Sequence, residues 1–167
     1  GAELARQFGQ KGCRVVLFAR REHRLLKIIA SLPESKKPHL FYVCDVADFD
    51  AVQKCYLDLI SQNVYPDILI LNAGVSNGFS INDFSVKKIR ELFDVNFWGA
   101  LNFLEFFLPK MLESNSGQIV SIGSLAGLRG MPKAAPYSSS KAALEIFIES
   151  LRIDLVNTNI VCTHILP

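Results

Sequence analysis

The chain has 167 residues, half of them hydrophobic, with 18 Lys and Arg against 16 Asp and Glu for a net charge of +2. Such a length suits one domain, residues 1–167, with a real core. The near balance of charge excludes a nucleic-acid arm, since the densest basic stretch, Arg20 to Lys27, is short and contains Glu22.

The chain opens in helical pattern at Gly1-Ala2-Glu3-Leu4, with no strand before it. Arg14 to Ala19, Leu40 to Cys44, Asp67 to Leu71, Gln118 to Ile122 and Asn159 to Ile165 read as strands. Their mostly continuous Val, Ile and Leu predict strands covered on both faces. Glu22 to Ser31, Phe49 to Gln62, Val86 to Leu112 and Tyr137 to Asn157 carry helical spacing. In the last of these, Ala143, Ile146, Phe147, Ser150, Leu151 and Leu155 recur every three or four residues. This alternation predicts the α/β class, a doubly wound open parallel sheet with helices on both faces. The most apolar run, Val95 to Leu112, is broken by Gly99, Asn102, Glu105, Pro109 and Lys110, and reads as a buried helix rather than a membrane span. The chain closes on Ile165-Leu166-Pro167 as a strand ends. A glycine-led helix at one end and a strand end at the other imply a piece of a longer protein, truncated at both ends.

Cys13, Cys44, Cys55 and Cys162 have no metal spacing and read as structural thiols in a reducing, cytoplasmic setting. His23, His39 and His164 form no ligand pattern and read as surface or loop-end histidines. No metal site is expected.

Chemistry concentrates near the end of the chain. Tyr137 and Lys141 stand at i and i+4 on one helix face, and Ser124 lies thirteen residues before Tyr137. A phenol is a weak acid, and a neighbouring ammonium favours its ionised form, which suits proton exchange with a substrate oxygen. A lone YxxxK is weak evidence, because a tyrosine at a helix start with a solvated lysine one turn on is ordinary. Ser124 alone would equally be a strand-end cap. Asn96 interrupts an apolar helix, where asparagine competes with the backbone ladder and marks a kink.

Taken in order, Asn72-Ala73-Gly74 after a strand, Asp94-Val95-Asn96-Phe97-Trp98-Gly99 in the long helix, Ser124, Tyr137, Lys141 and the strand-ending Pro167 form one set. The set resembles the short-chain dehydrogenase/reductase family in its shorter single-domain branch, over essentially the whole chain. Gly1 matches the last glycine of that family's TGxxxGxG turn. The resemblance implies a Rossmann-like fold and an oxidoreductase passing hydride between a nicotinamide cofactor and a carbonyl or secondary alcohol. It implies that Tyr137 exchanges the proton, Ser124 holds the substrate oxygen, Lys141 also holds the nicotinamide ribose, and Asn96 supports a water leading from the lysine. Leu71 stands where the family more often has asparagine, a small departure.

For the cofactor, the resemblance assigns Gly1, Asn72, Ala73, Gly74, Asp45, Val46, Tyr137, Lys141 and Pro167, with Asp45 on the adenine amino group. Phe18-Ala19-Arg20-Arg21 bears on cofactor choice. An acid at the strand end would bind a ribose 2′-hydroxyl, but that position is Ala19, and Arg20 offers a grip for a 2′-phosphate. NADP is expected over NAD, although Arg20 and Arg21 are also what a solvated loop would carry. Ser76 to Phe84 and Leu125 to Ala135 should border the substrate. Phe79, Leu128, Met131 and Ala135 suggest an apolar pocket, and no charged group there names an anionic substrate. Phe103, Phe106 and Phe107 cannot all face one sheet, which suggests that the two long helices pack between subunits in a homodimer or homotetramer. Two further readings stay open: a nucleotide-binding sensor or scaffold without turnover, and a nucleotide-sugar epimerase or dehydratase. The intact Ser124, Tyr137, Lys141, Asn96 set speaks against the first. The Asn-Ala-Gly tripeptide speaks against the second.

Overall fold

The computed structural model describes residues 1–167. Helix α1 (Ala2–Gln10) starts from Gly1 and buries Ala5 and Gly9. Strand β1 (Val16–Ala19), helix α2 (Glu22–Ile29) and strand β2 (Leu40–Val43) follow. Strands β1 and β2 pair in parallel, Val16 against Leu40 through Ala19 against Val43. Helix α3 (Phe49–Ser61) is capped by Asp48, whose carboxylate accepts from the Ala51 N–H. Strand β3 (Ile68–Leu71) leads to the long helical segment and then to β4 (Gly117–Ile122). Helices α6 (Leu125–Leu128) and α7 (Ala135–Asp154) precede β5 (Ile160–Ile165), and β3, β4 and β5 pair in parallel in that order.

The predicted α/β class with parallel strands is what the structure has. The strands fall into two sheets, a two-stranded β1-β2 and a three-stranded β3-β4-β5, because no strand of this chain is hydrogen-bonded between β1 and β3. The pieces share one core all the same. Phe18 of β1 packs edge-on against Phe103 at 4.9 Å. The cluster around it joins Cys44, Val52 and Leu59 to Leu69, Ile119, Ile148 and Cys162. Coverage of the strands is less complete than their composition predicted. Leu69, Leu71, Ile119, Ser121, Ile160 and Cys162 are buried at alternate positions, whereas Val43 and Val161 are exposed, the two-residue period of sheets covered mainly on one face.

The long helical segment runs as α4 (Val86–Phe93), a π turn (Asp94–Trp98) and α5 (Gly99–Ser114). Ser85 caps its start through the Lys88 N–H, and Asn115 ends it in the left-handed conformation, φ 47°. Phe103 and Phe107 stack with centroids 6.0 Å apart, both buried. Phe106 stacks on Tyr56 at 5.4 Å and meets Phe49 at 5.1 Å. Helix α3 of the same chain therefore takes up that ring.

Helix α7 starts two residues before the predicted Tyr137, with Pro136 in its first turn, where the missing N–H costs nothing. The four-residue α6 was not predicted. No helix is long and apolar enough to cross a membrane. All four cysteines are free thiols, three of them buried, and burial pushes the Cys44 thiol up to about 12. No group of His, Cys, Asp and Glu is arranged to hold a metal.

Candidate active site

The C-terminal ends of β3 and β4 and the first two turns of α7 meet at one place. Lys141 is only 4% exposed, and its Nζ donates to the Ile122 carbonyl at 2.8 Å. Burial, the sole cause, draws the ammonium below the usual lysine range. Gly74 lies directly beside it: a Cβ there would stand 3.4 Å from Lys141 Nζ and 3.6 Å from Asn96 Oδ1. The bare glycine thus leaves the backbone open where ammonium and amide converge.

Asn96 is fully buried in the π turn, an element that inserts one residue into a helix and recurs at functional sites. Its Oδ1 accepts from the Val75 N–H at 2.7 Å, and its Nδ2 donates to the Val75 carbonyl at 2.9 Å and to Ser140 Oγ at 3.0 Å. Ser140 Oγ in turn donates to the Tyr137 carbonyl at 2.8 Å. One asparagine therefore fixes the segment after Gly74 and couples it to the turn bearing Tyr137 and Lys141. The expected kink is a π turn, and the side-chain amide is committed to protein partners.

Ser124 sits between β4 and α6 and caps α6, its Oγ accepting from the Ala126 N–H at 3.2 Å. Capping occupies a lone pair and leaves the hydroxyl proton free to donate. Tyr137 is half-buried in the first turn of α7.

At the other sheet, Arg20 and Asp45 stand beyond the paired ends of β1 and β2 and touch each other, Nη1 to Oδ2 at 3.4 Å, both exposed. Asp45 Oδ1 accepts from the Ala47 N–H at 3.1 Å. Val46 is held twice by α5: Asn102 Nδ2 donates to its carbonyl at 2.9 Å, and a Cβ on Gly99 would come within 2.7 Å of its Cγ2. Gly1 abuts Asn72, whose Nδ2 would lie 2.8 Å from a Cβ on Gly1, so the start of α1 and the end of β3 are adjacent. Pro167 is exposed just past β5. Residues 1, 72–74, 96 and 141 thus form one neighbourhood, and residues 20 and 45 another.

Sequence reasoning gave no site role to Ser140, Asn102 or the Ile122 carbonyl, and noted Gly99 only within its motif. Asn102 carried a signal, being a second asparagine in an apolar helix. Ser140 carried a weaker one, a serine beside Lys141 on the buried face.

His164 departs from expectation. It lies in β5, not in a loop; its Nδ1 is 3.1 Å from the buried Ser121 Oγ, and its Nε2 is buried without a partner. Of the expected pocket residues, Phe79, Met131 and Ala135 line a cavity of about 590 Å³ with Ser80, Ile81, Asn82 and Lys133. Leu128 is exposed and does not line it.

Parallel strands linked through helices, with glycine-backed polar groups gathered at strand ends, define a nucleotide-binding type of α/β protein. The short chain dehydrogenase family profile matches residues 1–167. The chain belongs to that family. It is 31% identical to dehydrogenase/reductase SDR family member 7B of Xenopus tropicalis, over all of this chain and 56% of that protein. An uncharacterized oxidoreductase of Myxococcus xanthus is 33% identical, over all of this chain and 66% of its own length. The chain thus spans little more than half of the first of these relatives. Among solved structures, a serine dehydrogenase complexed with NADP+ superimposes with TM-score 0.90 at 30% identity, covering all of this chain and 67% of that one. An NAD+-bound xylitol dehydrogenase gives 0.92 at 28%, covering all of this chain and 65% of that one.

Proposed function

We propose that the protein is a dehydrogenase/reductase moving hydride between NADP(H) and a carbonyl or secondary alcohol. The observation that carries this reading is the convergence of the Lys141 ammonium and Asn96 amide on bare Gly74, one helical turn from the Tyr137 phenol. Two cradles suit a flat nucleotide: a Cβ on Gly1 or Gly74 would stand against Asn72 or Lys141. Gly1, Asn72, Ala73, Gly74 and Pro167 would line the cofactor, with Asp45 and Val46 at its adenine end and Arg20 at a 2′-phosphate. When bound, the nicotinamide supplies or accepts the hydride.

The chain's own residues handle the proton and the substrate oxygen. Tyr137 delivers its hydroxyl proton to a carbonyl oxygen, or takes it from an alcohol in reverse. Ser124, with one lone pair committed to Ala126, donates its hydroxyl to the same oxygen and fixes its position. Lys141, held at the Ile122 carbonyl, supplies positive charge beside the phenol and two further N–H donors for the ribose. Asn96 keeps the Gly74–Val75 segment and the α7 turn in register.

Cofactor preference follows from the strand end at Ala19, which lacks a carboxylate and is followed by Arg20. Exposed Ile146 and Ile153 on α7, Val156 just past its end, and Leu112 on α5 support assembly as a homodimer or homotetramer. Four free thiols fit a reducing compartment such as the cytoplasm.

Mixing the protein with NADPH and a panel of ketones, aldehydes and quinones tests the reading. At least one carbonyl should drive NADPH oxidation, and Tyr137→Phe should abolish it while NADPH still binds. Ordinary turnover by the phenylalanine variant would overturn the proton assignment. Cofactor binding with no turnover across the panel would favour a sensor.

A further inference from the structure

We infer that the cavity beside α7 selects substrates with an anionic group remote from the carbonyl, and that Lys133 is the residue that recognises it. This deepens the proposed function and rests on it. The cavity, about 590 Å³, lies within the usual range of small-molecule sites. Its wall reaches the start of the helix that carries the proposed proton donor: Ala135 is the first residue of α7, two positions before Tyr137. Phe79, Ile81, Met131 and Ala135 make most of the wall apolar. Lys133 is its one charged side chain.

Three observations set Lys133 apart. It takes part in none of the chain's four ion pairs, whereas nearby Lys88 is bound to Asp83. Its backbone is left-handed, φ 56°, a conformation that glycine adopts freely and a branched or long side chain does not. That backbone is also stitched across the cavity, the Phe79 N–H donating to the Lys133 carbonyl at 3.1 Å. The fold thus keeps an exposed, unpaired cation in a left-handed backbone position on the wall of a pocket that is apolar at four of its seven residues. An apolar chain ending in a carboxylate complements such a wall: the chain replaces water along Phe79, Ile81 and Met131, and the carboxylate meets the ammonium.

The test compares 12-oxododecanoate with its methyl ester as aldehyde substrates, and 12-hydroxydodecanoate with its methyl ester as ligands titrated calorimetrically in the presence of NADP+. In the unsubstituted protein kcat/KM and affinity should favour the acid about tenfold, the size of a partly exposed charged hydrogen bond. Lys133→Gly should erase the preference through KM, with kcat and NADPH affinity unchanged, and should raise stability because glycine relieves the left-handed backbone. Lys133→Glu should reverse the preference. Equal binding of acid and ester by the unsubstituted protein, or a preference that survives Lys133→Gly, overturns the inference. Selective binding of the acid with no turnover of either aldehyde supports the recognition and counts against the reaction.

Discussion

Asn96 holds Val75 by both of its backbone groups: the amide oxygen takes the N–H at 2.7 Å and the amide nitrogen gives to the carbonyl at 2.9 Å. A side chain here does what a neighbouring strand would do, just where β3 has ended. The remaining Nδ2 proton goes to Ser140, so the loop, the π turn and α7 meet on one residue.

Replacing Asn96 with Ala should therefore remove three hydrogen bonds at once, two part-buried ones to Val75 and a buried one to Ser140. Each costs about 1–3 kcal/mol, and with partial relaxation the total loss should be about 2–4 kcal/mol. Ser140→Ala should cost less and should add little to the Asn96 variant, since the two share a bond. Urea midpoints of the two single variants and the double variant measure this. Full additivity would show that the amide and the hydroxyl act separately.

Arg20 and Asp45 lie 25 residues apart yet touch at 3.4 Å. An exposed pair of this kind contributes little to stability, so Arg20→Ala should leave the urea midpoint almost unchanged. It should weaken NADPH binding about tenfold through loss of a charge-assisted grip on the 2′-phosphate. NADH affinity should hardly move. Asp45→Asn frees the guanidinium and should tighten NADPH a few-fold relative to NADH, about what a surface ion pair is worth. Parallel titrations with both cofactors decide it. Equal losses for NADPH and NADH in Arg20→Ala would remove Arg20 from phosphate recognition.

How much of this was legible in the sequence depends on the range of the interaction. Tyr137 and Lys141 share a helix face by spacing alone, and Asn96 drew notice as an amide in an apolar helix. Helix periodicity and β-rich runs placed all five strands and the long helices within a few residues. What escaped depends on register between distant segments. The Arg20–Asp45 pair needs β1 aligned on β2, Ala19 against Val43. The hold of Ile122 on Lys141 uses a backbone carbonyl that every residue possesses. The division into two sheets is a fact about which strands are bonded. The packing of Phe106 on Phe49 and Tyr56 escaped because periodicity alone does not place α3 against α5. Lys133 was passed over because its place on the cavity wall depends on a left-handed backbone that lysine seldom adopts.

Gly123 is required by its neighbour rather than by a turn. A Cβ there would stand 2.7 Å from His164 Cε1 and 2.9 Å from Leu166 Cδ2, and the ring is tied to Ser121. Gly123→Ala should cost about 1–3 kcal/mol by overpacking. Adding His164→Ala should restore part of that loss, so the double variant should be more stable than the sum of the single changes predicts. Gly74→Ala is the contrast. Its nearest atom, at 3.4 Å, is an ordinary contact, so folding should survive while cofactor affinity falls. Thermal melts and NADPH titrations of these variants give the comparison, and an unperturbed Gly123→Ala melt would contradict the packing.

His164 should make stability fall in mild acid. Burial holds its imidazole below the ordinary 6.5, with Glu145 opposing the shift and Lys141 and Arg152 adding to it. Between 6.5 and the lower folded value, the unfolded chain binds more protons than the native one. Stability therefore drops as pH falls through that window and levels off once the native imidazole is also charged. The buried Nε2 without a partner supplies the structural reason, since a proton added there brings a charge with no acceptor. Urea midpoints measured from pH 7.5 to 5 should decline more steeply for the unsubstituted protein than for His164→Asn, the difference isolating this one ring from the exposed His23 and the half-buried His39. An NMR titration of His164 with its midpoint at or above 6.5, or identical slopes in the two proteins, would show that the ring is solvated and that the β4–β5 contact with Ser121 is looser than the 3.1 Å bond implies.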